Sequence, residues 1–274
     1  MKLGLIGTGN MGSALLRGAL RSPTLSPSDV VIYNRSRGSM EKLLLDYPGI
    51  TPASSAKELV EQCDAVLLAV KPKDILELVN SSTDSFRTLY GSPDFEETPL
   101  LISVAAGISL EQLEDASFEE ARIVRVMPNT PALIGKGTSV FSMGSSATKA
   151  DAETVLSILE PSGFIKQVPE SSIEAIAAIS GCGPAYMYVI LDALSDAGVS
   201  IGLPRPLALE LATRTMLGSA ELVQQSELHP MELRDQVTSP GGTTIEALNA
   251  LDQYRLRHAL IEAVKAAHAK SAKL

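Results

Sequence analysis

Residues 3–12 read Leu-Gly-Leu-Ile-Gly-Thr-Gly-Asn-Met-Gly, which sets a G-x-G-x-x-G pattern directly after an apolar run and directly before a helical one. The chemistry this spacing suits is the grip of a dinucleotide pyrophosphate. Gly7 permits the tight turn, Gly9 lets the N–H groups of Thr8, Asn10 and Met11 come close to the phosphates, and Gly12 lets the helix pack on the strand. The free N–H groups of the first helical turn add positive potential there. The next strand ends in Asn34-Arg35-Ser36-Arg37. An NAD site usually places Asp or Glu at that point to hold the ribose 2′-hydroxyl, whereas two guanidinium groups and a hydroxyl suit a 2′-phosphate. The expected cofactor is NADP, with NADPH preferred and NADH possible.

Downstream, Thr238-Ser239-Pro240-Gly241-Gly242-Thr243-Thr244-Ile245 is a Pro-Gly-Gly turn that feeds a helix with hydroxyls at its mouth. Such a turn exposes backbone N–H groups and forms an anion pocket sized for a carboxylate, although an ordinary N-cap turn fits the same residues. No metal site is expected. The two cysteines, Cys63 and Cys182, have no ligand-like spacing, and each reads as a small buried residue. His229 precedes a proline, while His258 and His268 lie on the last helical segment, so surface or interface roles are expected for all three. No Ser/His/Asp set stands out.

These groups need a scaffold, and the first half supplies the pattern of one. Lys2–Ile6, Val30–Tyr33, Ala65–Val70, Leu100–Ala105 and Ile123–Met127 read as strands, with Met11–Leu20, Ser39–Asp46, Ala56–Cys63 and Leu110–Glu114 as helices between them. Continuous apolar strands joined by helices imply a parallel sheet buried on both faces, and hence the α/β class with a Rossmann-like nucleotide domain. Ser39 and Ser109 are plausible caps. The polar stretch 81–98 and the segment Pro128–Thr138 read as loops.

After a last apolar run, Phe164–Val168, the chain turns helix-rich: Glu170–Ser180, Ala185–Ala197, Arg205–Gln225, Met231–Val237, Thr243–Leu251 and Tyr254–Ala269. The division expected is a nucleotide-binding domain over 1–168 and an all-helical substrate-binding and dimerisation domain over 169–274. Several of these helices are strongly apolar for so small a bundle, which implies self-association. A net charge of −9 and a pI near 4.9 argue against nucleic acid or an anionic membrane surface as partner. Met1 leads directly into a strand and no apolar run approaches the roughly 18 residues of a membrane span, so a cytoplasmic address is expected.

Taken in order, Gly4 to Gly12, Ala69-Val70-Lys71-Pro72, Ser103-Val104-Ala105-Ala106-Gly107, Met127-Pro128-Asn129-Thr130-Pro131, Ser180-Gly181-Cys182-Gly183-Pro184-Ala185-Tyr186 and the Ser-Pro-Gly-Gly stretch resemble the pyrroline-5-carboxylate reductase family, from Met1 to about Ala267. The resemblance implies hydride transfer from NADPH to the cyclic imine, giving L-proline, by an oxidoreductase that forms dimers or rings of dimers. It implies that Val237 and Ser239–Thr244 hold the substrate carboxylate, that Thr244 bonds the ring nitrogen, and that Glu227 reaches the substrate side. It further implies that Ala69, Val70, Lys71, Pro72, Ala105, Ala106, Gly107 and Asn129 line the nicotinamide side. Cys182 stands where most relatives have serine, and Ala56 where some have an asparagine on the cofactor. A β-hydroxyacid dehydrogenase is the nearest alternative, but those enzymes carry a catalytic lysine on a helix of the second domain, and no lysine lies between Lys166 and Lys265. A non-catalytic NADP-sensing module is the other.

Overall fold

A computed structural model describes residues 1–36, 38–89 and 98–271. Two compact units emerge: one holds residues 1–181 together with 268–274, the other residues 182–267. The composition shift after Val168 lies a little upstream of that division.

The first unit alternates strands and helices as far as β6: β1 (Leu3–Ile6), α1 (Asn10–Ala19), β2 (Val30–Tyr33), α2 (Gly38–Asp46), β3 (Thr51–Pro52), α3 (Ala56–Gln62), β4 (Ala65–Leu68), α4 (Pro72–Leu89), β5 (Leu100–Ser103), α5 (Leu110–Ala116) and β6 (Ile123–Met127). It continues through β7 (Gly137–Met143), α6 (Lys149–Leu159), β8 (Gly163–Gln167) and the short α7 (Ile173–Ile176). The sheet runs β3-β2-β1-β4-β5-β6-β7-β8. All neighbours are parallel except β6 and β7.

Successive side chains of a strand point to opposite faces, and both faces here are apolar. Leu3, Leu5, Ile32, Leu67 and Val126 belong to one core cluster with Leu15 of α1 and Val155 of α6. Ile6, Val31, Val66 and Leu68 belong to the other, with Leu59 of α3, Ile75 of α4 and Leu113 of α5. Two helical layers thus enclose one sheet. Fully burying each such Leu or Ile stabilises the fold by about 2 kcal/mol.

Two expected loops are structured. Residues 81–89 continue α4, and the polar side chains that suggest a loop find partners within the helix: the hydroxyls of Ser82 and Thr83 each donate back to a carbonyl four residues earlier, at 2.6 Å. Part of the 81–98 stretch, residues 90–97, lies outside the described residues. The second loop shortens to a 3₁₀ turn at Thr130–Ile134 before β7 begins. Ser109 caps α5 as expected, with a full capping box to Gln112. Ser39, by contrast, lies inside α2, and its hydroxyl meets Thr8 and Asn34 instead.

One buried cation links the sheet to the segment that follows it. Arg125 on β6 is 5% exposed. Its guanidinium donates to Glu170 at 2.9 Å and to Glu174. The same Glu170 oxygen accepts the Leu110 N–H at the start of α5, and Glu174 also accepts the hydroxyl of Ser271.

The second unit comprises α8 (Gly183–Ser200), α9 (Arg205–Ser226), α10 (Pro230–Gln236), α11 (Thr243–Gln253) and most of α12 (Leu256–Ser271). Helices α8 and α9 pack closely where Gly198 faces Ala208; a Cβ at Gly198 would lie 2.7 Å from that methyl group. Much of the remaining apolar surface is bare, as at Val189, Leu217 and Tyr254, which are 71%, 58% and 81% exposed. The helical stretch Glu170–Ser200 is long and apolar enough to cross a membrane by length and composition. Its apolar character is distributed between glycines and polar residues, which is why no unbroken run stands out in the sequence.

Removing the Arg125 guanidinium should be costly. Arg125→Met is expected to lower unfolding stability at pH 7 by about 3 kcal/mol, the range for breaking a buried pair, as read by urea denaturation. Burial raises the Glu174 carboxyl, but the Ser271 hydroxyl and Arg125 outweigh it and hold the group below its ordinary range. Because the folded value is the lower one, its stabilisation is present above the ordinary carboxylate value of about 4.3 and is lost as pH falls through the folded value. The wild type should therefore lose stability on acidification more steeply than the variant; parallel pH profiles would overturn this.

Candidate functional site

The turn after β1 is shaped by what its glycines lack. Gly7 has φ +100, a conformation that disfavours side chains, and a Cβ there would lie 2.5 Å from the Ala69 carbonyl oxygen. At Gly12 a Cβ would overlap the Gly7 carbonyl oxygen and come within 2.9 Å of the Ala69 Cβ. Gly9 differs from both, since nothing lies within 4 Å of where its Cβ would be. It occupies the N-cap of α1, where no side chain caps the helix and no acid sits in the first turn. An anion can approach that open backbone.

Thr8 is held from within. It is 3% exposed; its N–H donates to Asn34 Oδ1 at 3.3 Å and its hydroxyl meets Ser39 Oγ at 2.7 Å. Asn34, at the end of β2, is a strut, because its amide donates to the Ser36 carbonyl, the Ser36 hydroxyl and Ser39. It joins the glycine turn to the loop after β2. Arg35 is exposed and makes no ion pair among the described residues. Arg37 lies outside the described residues. Asn10 is exposed and Met11 half-buried in the first turn of α1.

A cavity of about 750 Å³ opens beside this turn, a size that suits a nucleotide. Gly7, Gly9 and the 34–36 segment line it, as do Ala69, Val70 and Lys71 after β4. Ala56 lines it too, together with residues that sequence reasoning did not single out: Ser55 and Lys57 at the start of α3, and Lys73, Asp74, Glu77 and Ser81 on α4. Lys73, Asp74 and Glu77 escaped notice because the sequence reading assigns no element to residues 73–80, and Ser81 because it opens the stretch read as a loop. Their signal was the apolar spacing of Ile75, Leu78 and Val79. The open backbone at Gly9 and the cations around the cavity fit a phosphorylated dinucleotide.

Several expected residues lie elsewhere. Pro72 opens α4, Ala105 is buried with its N–H on Ser103 Oγ, and neither lines the cavity; nor do exposed Ala106 and half-buried Gly107, the latter with φ +75. Asn129 is 8% exposed, and its side chain is committed at both ends: it donates to the Ser180 carbonyl at 2.9 Å and accepts the Thr138 N–H at 2.8 Å.

In the second unit the Pro-Gly-Gly turn leads into α11. Gly241 has φ +65, and a Cβ at Gly242 would strike the Ser239 side chain. Gly242 is the N-cap and no side chain caps the helix, so the first-turn N–H groups beside Thr243 and Thr244 are open to a ligand. Ser239, Pro240 and Thr243 are exposed and Thr244 is half-buried. Val237 ends α10, 67% exposed. Glu227 ends α9 in the left-handed region at φ +56. No hydrogen bond or ion pair joins Glu227 to the turn.

The cysteines differ from each other. Cys63 is buried, and burial pushes its thiol up to about 12, which marks it as inert. Cys182 is exposed at the N-cap of α8, against the expectation of burial, because the apolar face around it is itself bare in the single chain. Among the described residues no group of three or more His, Cys, Asp or Glu is placed to hold a metal.

A family model of pyrroline-5-carboxylate reductase dimerisation matches residues 170–274, and one described as NADP oxidoreductase, coenzyme F420-dependent, matches residues 2–107. The chain is 41% identical to a pyrroline-5-carboxylate reductase of Glycine max, over 99% of this chain and 95% of that one. It is 36% identical to that of Escherichia coli, over 100% and 98%. Among solved structures, the Plasmodium falciparum pyrroline carboxylate reductase with NADP bound aligns with a TM-score of 0.86 at 33% identity, covering 99% of this chain and 97% of the other.

The glycine geometry separates two effects. Gly9→Ala should fold with an unchanged Tm and bind NADPH at least 10-fold more weakly, because the added methyl occupies only the approach to the open backbone. Gly12→Ala should lower Tm as well, since α1 must move off the turn. Thermal denaturation with fluorescence titration checks both, and equal Tm losses would contradict the distinction.

Proposed function

The chain belongs to the pyrroline-5-carboxylate reductase family, and we propose that it reduces L-1-pyrroline-5-carboxylate to L-proline with NADPH. The observation that carries this reading is the pairing, in one chain matched end to end by these relatives, of an open glycine turn beside a nucleotide-sized cavity with an uncapped helix start behind the Pro-Gly-Gly turn.

Bound at the glycine turn, NADPH supplies the hydride that goes to the ring carbon of the C=N bond. The protein's own residues have the smaller task of placement, because a protonated imine is already electrophilic. The first-turn N–H groups of α11 and the hydroxyls of Ser239 and Thr243 bind the substrate carboxylate. The Thr244 hydroxyl bonds the ring nitrogen and orients it. Glu227 lends negative charge to the cationic ring from the substrate side. Arg35 and Ser36 hold the 2′-phosphate, and the backbone of Ala69–Lys71, which lines the cavity, shapes the nicotinamide side, with Pro72, Ala105–Gly107 and Asn129 assigned to its border outside that cavity.

A second copy of the chain covers the bare helical surface, forming a dimer or a ring of dimers; the dimerisation match over 170–274 and the exposed Val189 and Leu217 support this. Neither nucleic acid nor a membrane is assigned as partner, in keeping with the net charge of −9. Two free cysteines support a reducing, cytoplasmic address.

Purified protein should oxidise NADPH on addition of pyrroline-5-carboxylate, with kcat/KM for NADPH at least 10-fold above that for NADH, the effect of a charge-assisted grip on the 2′-phosphate. Binding of NADPH without turnover would instead favour a sensor. Thr244→Ala should lower kcat about 100-fold, as loss of a group that positions a proton does, while the Kd for NADPH stays the same. Unchanged kcat would remove Thr244 from the mechanism.

A further inference from the structure

We propose that Lys57 adds a cation to those of the Asn34–Arg37 segment on the 2′-phosphate of the cofactor and is therefore a determinant of the choice of NADPH over NADH, an inference that rests on the cofactor assignment above. Four cations line the cavity: Arg35, Lys57, Lys71 and Lys73. None makes an ion pair among the described residues, so their charge is uncommitted in a chain whose net charge is −9. The sheet order distinguishes them. Strand β2 lies between β3 and β1, and β4 lies on the far side of β1. Arg35 and Ser36 follow β2 directly. The segment after β3 is tied to β2 by the Ala53 N–H on the Ile32 carbonyl at 2.9 Å, and it carries Lys57 into the first turn of α3 beside them. Lys71 and Lys73 follow β4, beyond the glycine turn, on the side assigned to the nicotinamide.

Within residues 54–57 the other side chains are already occupied. Ser54 donates its N–H and hydroxyl to Glu58, and Ser55 caps α3 by accepting the Glu58 N–H at 3.1 Å. Ala56 has no polar atom to offer. Lys57 is thus the group of this segment that is charged, exposed, on the cavity and unpaired. A phosphate monoester carries a charge of about −1.5 to −2 at pH 7, so Arg35 by itself leaves up to half of it uncompensated. The ammonium of Lys57 on the same cavity adds a point charge, leaving bidentate geometry to the arginine. The same cavity carries the carboxylates Asp74 and Glu77 on α4, which packs against α3, and among the described residues neither forms an ion pair with Lys57.

The test compares 2′,5′-ADP with 5′-AMP, which differ only in the 2′-phosphate, by calorimetric titration of wild type, Lys57→Ala and Lys57→Arg. Wild type should prefer 2′,5′-ADP. Lys57→Ala should weaken 2′,5′-ADP about tenfold and 5′-AMP less than twofold, and Lys57→Arg should restore most of the loss, as expected for one charge-assisted contact at an exposed site. If wild type prefers 2′,5′-ADP and Lys57→Ala keeps that preference, or weakens both ligands equally, Lys57 is not the determinant and the cofactor assignment survives. If wild type shows no preference, the cofactor assignment and the proposal fall together.

Discussion

At Gly12 the first helix passes so close to the turn after β1 that no side chain fits between them, and at Gly7 the turn passes equally close to the backbone after β4. That double approach brings the ends of three parallel strands, β2, β1 and β4, to one rim. The Gly7 N–H reaches the Tyr33 carbonyl at 3.0 Å, and the Ala69 N–H reaches the Ile6 carbonyl at 2.8 Å, so the strand ends are stitched together just where the ladder stops. Asn34 adds a side-chain tie from β2 to Thr8. The cavity is the space left beyond this stitching, and its wall chemistry is decided by whichever residues follow each strand. A larger residue at either glycine would loosen the seam and with it every lining group.

Most of the sheet was legible because its strands are mainly apolar runs, broken only at Ser103 and Arg125 among the five read as strands, with helical segments between them. What stayed hidden was diluted by polar residues with local partners. Strand β7 carries Ser139 and Ser142 among its apolar residues, and both are buried; Ser142 donates to the Val168 carbonyl at 2.7 Å. Helix α4 hides behind Ser82 and Thr83 in the same way. In each case a hydroxyl that suggests water in one dimension has found a carbonyl in three. The glycine turn and the Pro-Gly-Gly turn were legible because backbone geometry is encoded by residue type. Lys57 and Lys73 were not, since a lysine on an amphipathic helix looks the same whether it faces solvent or a ligand.

The helical half follows a different logic. Packing within it is closest between α8 and α9, while large aliphatic side chains stay bare on the single chain. At about 25 cal/mol per Å² of apolar area, leaving such a surface in water would forfeit much of what the helices could contribute to stability. The dimerisation match covers this half, and a partner seated on it would take such surface out of water; Cys182 is exposed on the single chain.

The ion-pair cluster around Arg125 bears on how this chain can be divided. Its anions, Glu170 and Glu174, come from the start of the helical sequence, and the hydroxyl on Glu174 comes from Ser271 near the chain's end. The nucleotide-binding unit therefore draws on two separate stretches of polypeptide, with the whole second unit threaded between them. A recombination event that exchanged the helical half by one crossover near Val168 would take away the partners of a buried guanidinium. Such a swap would conserve the Rossmann-like sheet yet inherit an unpaired charge within it, so the two halves of this chain are modules to the eye more than to evolution.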